Sequence, residues 1–142
     1  MAYSNPLLVG TSIGLRQPHV AHFMDSTPNI NWLEVHSENY LQENSKRRYQ
    51  LRQIRHNYAI SCHGIGLSLG SADGLNLDHI GSLKALFDDI EPTLVSEHLS
   101  WSSADGRYFN DLLPLPYTQE CLDHMISRVN QTQTLLNRTI LI

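Results

Sequence analysis

Two histidines stand where an α/β fold does its chemistry. Ser61-Cys62-His63-Gly64-Ile65-Gly66 and Val95-Ser96-Glu97-His98-Leu99-Ser100-Trp101 each place an imidazole at the end of an apolar, strand-like run. In parallel α/β folds functional groups gather at the carboxyl ends of strands, where the βα loops begin. A neutral imidazole is a good ligand for iron, zinc or manganese. A single histidine in such a place reads more readily as a hydrogen-bonded core residue than as a ligand. Two on neighbouring strands reach one rim across roughly 5 Å of sheet spacing, which points to a metal site or an acid/base pair.

Other rim residues carry weaker signals. Alternation along Glu34-Val35-His36-Ser37-Glu38-Asn39-Tyr40 puts Glu34, His36 and Glu38 on one strand face. Three ionisable groups there are costly unless paired or bound to something. The other reading ends the strand by Ser37 and leaves Glu38 in a solvated loop. Glu97 should face away from His98 and support the structure rather than ligate. Gly64 is expected to let the backbone turn after His63. The glycines of Gly64-Ile65-Gly66-Leu67-Ser68-Leu69-Gly70 fit neither GxGxxG nor a GK[ST] ending, so this is a rim loop and not a phosphate loop. His19, His22, His56, His79 and His124 fall in helical patterns and read as surface residues. Leu112 to Tyr117 reads as a rigid loop leading into the last helix.

Short apolar runs and amphipathic stretches alternate to position these groups. Strands are expected at Leu7 to Leu15, Asn31 to His36, Ala59 to His63 and Thr93 to Leu99, with a fifth beginning at Thr139 to Ile142. Being apolar on both faces, they suit a parallel sheet covered by helices. Helices are expected around His19 to Asp25, over Lys46 to Asn57, after an Asn76 cap with Ile80, Leu83, Leu86, Phe87 and Ile90 inward, and after a Thr118 cap. The last is read with Leu122, Ile126, Val129, Gln133 and Leu136 along one face. Alternating βα units with right-handed crossovers define an α/β fold.

Composition narrows the function. With net charge −4 and no basic run beyond Lys46-Arg47-Arg48, which reads as the solvated start of a helix, nucleic-acid binding is not expected. No window approaches the ~18 apolar residues of a membrane span, and no secretory leader is visible, so the cytoplasm is the expected compartment. Cys62 and Cys121 are too few and too far apart for a disulfide framework or a cysteine zinc site. At 142 residues the chain makes one domain but falls short of the roughly 250 of a complete (β/α)8 barrel. Its apolar ending, Arg138-Thr139-Ile140-Leu141-Ile142, leaves a strand to be paired by another chain or by a continuation.

Five strings occur in this order in a known family. They are Gly14-Leu15-Arg16, Glu34 to Tyr40, His63 to Ser71, Ser96-Glu97-His98-Leu99-Ser100-Trp101 and Asp111-Leu112-Leu113-Pro114-Leu115-Pro116-Tyr117-Thr118. On them, nearly the whole chain resembles the multinuclear non-haem iron-dependent oxidative enzymes, long catalogued only as an uncharacterised family with a xylose-isomerase-like TIM barrel. The resemblance implies the N-terminal half of a TIM barrel: about four βα units and the start of strand five, with residues 1–142 forming one partial domain.

It also implies two or three iron ions at the carboxyl rim and the use of O₂ to rework cysteines in ribosomally made peptides, as in methanobactin and thia-amino-acid pathways. A small partner protein recruits the precursor. His63 and His98 match ligating histidines of strands three and four, and Glu38 and Asn39 match a rim motif bordering the pocket. In the family a Glu ligand follows strand five, and later strands add His, Asp and Asn. The expectation is therefore the first half of such an enzyme, inactive alone. Two other readings remain open. One is a zinc- or manganese-dependent hydrolase or isomerase on a similar barrel. The other is a non-catalytic half-barrel that forms homo-oligomers through its exposed strand edges.

Overall fold

The computed structural model describes residues 8–142. Four parallel strands form a sheet in sequential order: β1 (Ser12–Gly14), β2 (Trp32–His36), β3 (Ala59–His63) and β4 (Leu94–Ser96). The helices α1 (Gln17–Asp25), α2 (Lys46–Arg55) and α3 (Leu77–Ile90) connect them, and a 3₁₀ turn, Ser37–Tyr40, precedes α2. After β4 come an antiparallel hairpin, β5 (Trp101–Ala104) and β6 (Arg107–Leu113), and a long helix α4 (Gln119–Leu136). A parallel bridge from Leu141 to Ser96 then starts the next position in the sheet. Sequential parallel strands alternating with helices are the arrangement of half a TIM barrel.

The helix signals act as their sequences dictate. Asn76 accepts a hydrogen bond from His79 N at 3.0 Å and Thr118 one from Cys121 N at 3.2 Å, so each side chain satisfies an otherwise orphaned amide. Ile80, Leu83, Leu86, Phe87 and Ile90 are all buried, as their spacing requires, and each contributes about 1.5–3 kcal/mol of transfer free energy.

Several expectations need correction. The first strand is only Ser12–Gly14, and the Leu7 proposed to begin it lies outside the described residues. β4 ends at Ser96 rather than Leu99; Glu97 N still donates to the Leu141 carbonyl at 3.0 Å, and the His98 amide then turns to the Glu97 carboxylate at 3.0 Å instead of a neighbouring strand. The fifth strand is a single bridge at Leu141.

The hairpin was not foreseen. It turns through Asp105 (φ 51°) and Gly106 (φ 70°), the pair of left-handed residues that a two-residue turn needs, so Asp-Gly was its signal in the sequence. Leu112 and Leu113 therefore belong to β6, and the loop into α4 begins at Pro114. On α4 the buried residues are Met125, Thr132 and Leu136, with Val129 packed beside them; Leu122 and Ile126 face outward. Arg48 is no solvated helix start. It is 1% exposed and gives its guanidinium to Asp89 at 2.6 Å, to the Tyr40 carbonyl at 2.9 Å and to the Ala85 carbonyl at 2.7 Å.

Candidate functional site

Register, rather than local sequence, assembles the rim. His36 ends β2 directly beside His63, which ends β3, and His63 pairs in turn with Ser96 on β4. Alternation sends Ser96 and His98 to the inner face and Glu97 to the helix side, as the sequence suggested for Glu97. The result is a row of imidazoles. Ring centroids lie 5.8 Å apart from His36 to His63 and 4.6 Å apart from His63 to His98.

His63 Nδ1 lies 2.8 Å from Ser96 Oγ, and its Nε2 lies 2.8 Å from His98 Nε2. The structure therefore brings together the two histidines singled out from the sequence, with their Nε2 atoms converging on one point. Burial, and then the neighbouring His98, hold His63 below the ordinary imidazole pKa, so the ring is neutral at pH 7 and keeps a lone pair to offer.

His36, read from sequence only as one of three ionisable residues on a face, is the third member of this row. Its signal was its position at the end of β2, matching that of His63 on β3. At the far end of the row Arg16 NH1 lies 3.3 Å from His36 Nε2.

Glu38 is not on β2; it lies in the 3₁₀ turn that follows, and its Oε1 accepts the Ile65 and Gly66 amides at 2.9 Å each. It thereby fixes the rim loop after β3. Burial works to raise its pKa, and the His79 imidazole with those backbone amides outweighs it, leaving the carboxyl below its usual value. His79 is thus not a surface residue, since its Nε2 sits half-buried 3.6 Å from Glu38 Oε1. His124 is likewise half-buried, with Nε2 2.9 Å from the Ser71 carbonyl. Asn39 is exposed. Beside Glu38 and Gly66 a groove of about 460 Å³ runs under Tyr108, Phe109 and Leu112 of β6.

Glu97 is buried, with Oε2 lacking any hydrogen-bond partner, and burial pushes its pKa up to about 8. Gly64 has no left-handed backbone; glycine is required there for room, because a Cβ would come within 2.3 Å of that Oε2. Cys62 is fully buried, and burial raises its thiol to about 12, which makes it an inert core residue.

A metal can be tested against these donors. Two imidazole nitrogens on one ion, each at ~2.0–2.1 Å, sit roughly 3.0–3.4 Å apart, close to the observed 2.8 Å separation. The Ser96 contact to the other ring nitrogen is the kind of support that orients a ligating histidine. Among the described residues no group of three or more His, Cys, Asp and Glu side chains is arranged to hold a metal ion. Within the described residues the converging ring nitrogens are those of His63 and His98.

A half-barrel of parallel βα units with imidazoles converging at its carboxyl rim defines the class of protein. Residues 10–142 match the family model described as RiPP precursor modification enzyme MbnB/TglH/ChrH, and the chain belongs to that family. Similar relatives are UPF0276 proteins. One from Vibrio vulnificus is 57% identical over 130 residues, covering 92% of this chain and 45% of the relative. One from Psychromonas ingrahamii is 48% identical, covering 92% and 46%. One from Anaeromyxobacter is 38% identical over all 142 residues and 50% of the relative. The chain thus spans about half the length of the curated relatives it matches. No helix among the described residues is long and apolar enough to cross a membrane.

Proposed function

We propose that His63 and His98 are two ligands of an iron site at which O₂ oxidatively modifies cysteine in a ribosomally made peptide, and that this chain supplies the first half of that site. The observation that carries the reading is the convergence of the two Nε2 atoms, 2.8 Å apart at the carboxyl rim, in a chain of a precursor-peptide-modifying family. Iron, when bound, supplies activation of O₂ and a Lewis acid for the substrate thiolate.

The chain's own residues do the rest. Ser96 fixes the His63 ring through Nδ1, and burial keeps that ring neutral and able to donate its lone pair. Glu38 ties down the loop that borders the groove under β6, whose exposed Tyr108 and Phe109 give a peptide an apolar surface beside the rim. By the family resemblance, a Glu after strand five and His, Asp and Asn from later strands would be the remaining ligands of a site of two or three ions. A small partner protein presents the precursor, and the reaction takes place in the cytoplasm, where the peptide is made.

Metal content of anaerobically purified chain, measured by plasma mass spectrometry beside a His63→Ala/His98→Ala variant, tests this. Iron at about one equivalent, lost in the variant, is the expected result. Zinc or manganese in its place would favour a hydrolase or isomerase with water as nucleophile, and no metal in either sample would overturn the proposal.

A second reading has its own observation. Among the described residues Leu122 and Ile126 on α4 are 53% and 51% exposed, and the sheet beyond β4 carries a single bridge at Leu141. Exposed apolar side chains and a strand edge of this kind invite a second copy of the chain. A homodimer or larger oligomer is the expected result of light scattering at micromolar concentration. A well-folded monomer would remove this reading and leave the metal proposal standing.

A further inference from the structure

Most arginines among the described residues are tied to carbonyls or carboxylates. Arg48 and Arg52 hold Asp89, Arg55 holds the Ile90 and Glu91 carbonyls, and Arg138 holds the Pro92 carbonyl. Arg16 differs. It stands at the carboxyl end of β1, its guanidinium lies over Gly14, where a Cβ would meet Nε at 3.5 Å, and among the described residues the guanidinium's hydrogen-bonding partner is the imidazole of His36, at NH1. None of the ion pairs among the described residues involves it. Glu34, two residues before His36, acts electrostatically on His63 and makes no ion pair with Arg16. An exposed guanidinium is therefore held at the end of an imidazole row, with most of its donor fork uncommitted among the described residues. A planar fork of this kind matches a carboxylate.

We infer that Arg16 is a substrate-anchoring residue that binds a carboxylate of the peptide and so sets which end of it meets His63 and His98. The anchored group is either the C-terminal carboxylate or an Asp or Glu side chain near the reacting cysteine. The inference rests on the proposed peptide substrate; it does not depend on which metal the histidines hold.

The test uses the full chain and three short probes: acetyl-Gly-Cys with a free carboxylate, the same peptide as its C-terminal amide, and acetyl-Asp-Cys as its amide. Binding is followed by NMR titration of the histidine ring protons. The free-carboxylate or the Asp probe is expected to bind about tenfold tighter than the plain amide, and which of them does so identifies the source of the carboxylate. Arg16→Ala should erase that preference and Arg16→Lys should keep part of it, both with unchanged thermal unfolding because the side chain is exposed.

Equal binding of all three probes, no binding by any, or a preference that survives Arg16→Ala overturns the inference. Metal content of Arg16→Ala should equal that of the parent chain. A chain that binds no metal yet prefers the carboxylate probe would thus sink the metal proposal and leave this one intact.

Discussion

Arg48→Ala is expected to lower folding stability by about 3–5 kcal/mol, the range for breaking a buried ion pair from one side. The guanidinium is nearly inaccessible and joins the 3₁₀ turn, α2 and α3 through Tyr40 O, Ala85 O and Asp89. Truncation leaves two carbonyls without their donor, at about 1–3 kcal/mol each, and removes the packing of a long aliphatic stem. Asp89 itself keeps Arg52 at 2.8 Å and is partly exposed, so the loss falls mainly on the carbonyls. Arg48→Lys retains the charge without the fork and should recover only a minor part. Urea unfolding of the three proteins measures this, and a loss under about 1 kcal/mol for Arg48→Ala would mean that water replaces the arginine at little cost.

The second large effect is a pH dependence centred on Glu97. Burial raises its carboxyl from the ordinary value of 4.5 to about 8. Between those values the folded chain keeps a proton that the unfolded chain has released. The group's contribution is therefore fully present below pH 4.5, falls as the pH rises, and stops falling once the folded carboxyl ionises near pH 8. The slope is at most on the order of 1 kcal/mol per pH unit. Glu97→Gln keeps an acceptor for the His98 amide and cannot ionise, so it should match the parent at about pH 5 and exceed it in stability near pH 8. Parallel stability curves for the two proteins across that window would show that Glu97 is ionised in the fold.

Local signals in the sequence determined much of this molecule. The Asn76 and Thr118 caps, the inward row of α3 and the ends of β2 and β3 at His36 and His63 all follow from interactions within a few residues along the chain. Those are the interactions that helical spacing and apolar runs encode. His63 and His98 could be named for the same reason, since each stands at or just past the end of an apolar run. Family resemblance supplied what periodicity does not, membership of a family described as modifying precursor peptides.

Tertiary structure decided the rest. Register across the sheet set His36 beside His63 and let Arg16 reach His36, although those residues are far apart in sequence. Packing chose which face of α4 is buried, because α4 lies against α3 and not where its own apolar residues alone would turn it. Burial of Arg48 and the meeting of His79 with Glu38 depend on partners more than thirty residues away. A charged side chain enters a core only where distant groups satisfy it, and no local pattern records where those groups will be.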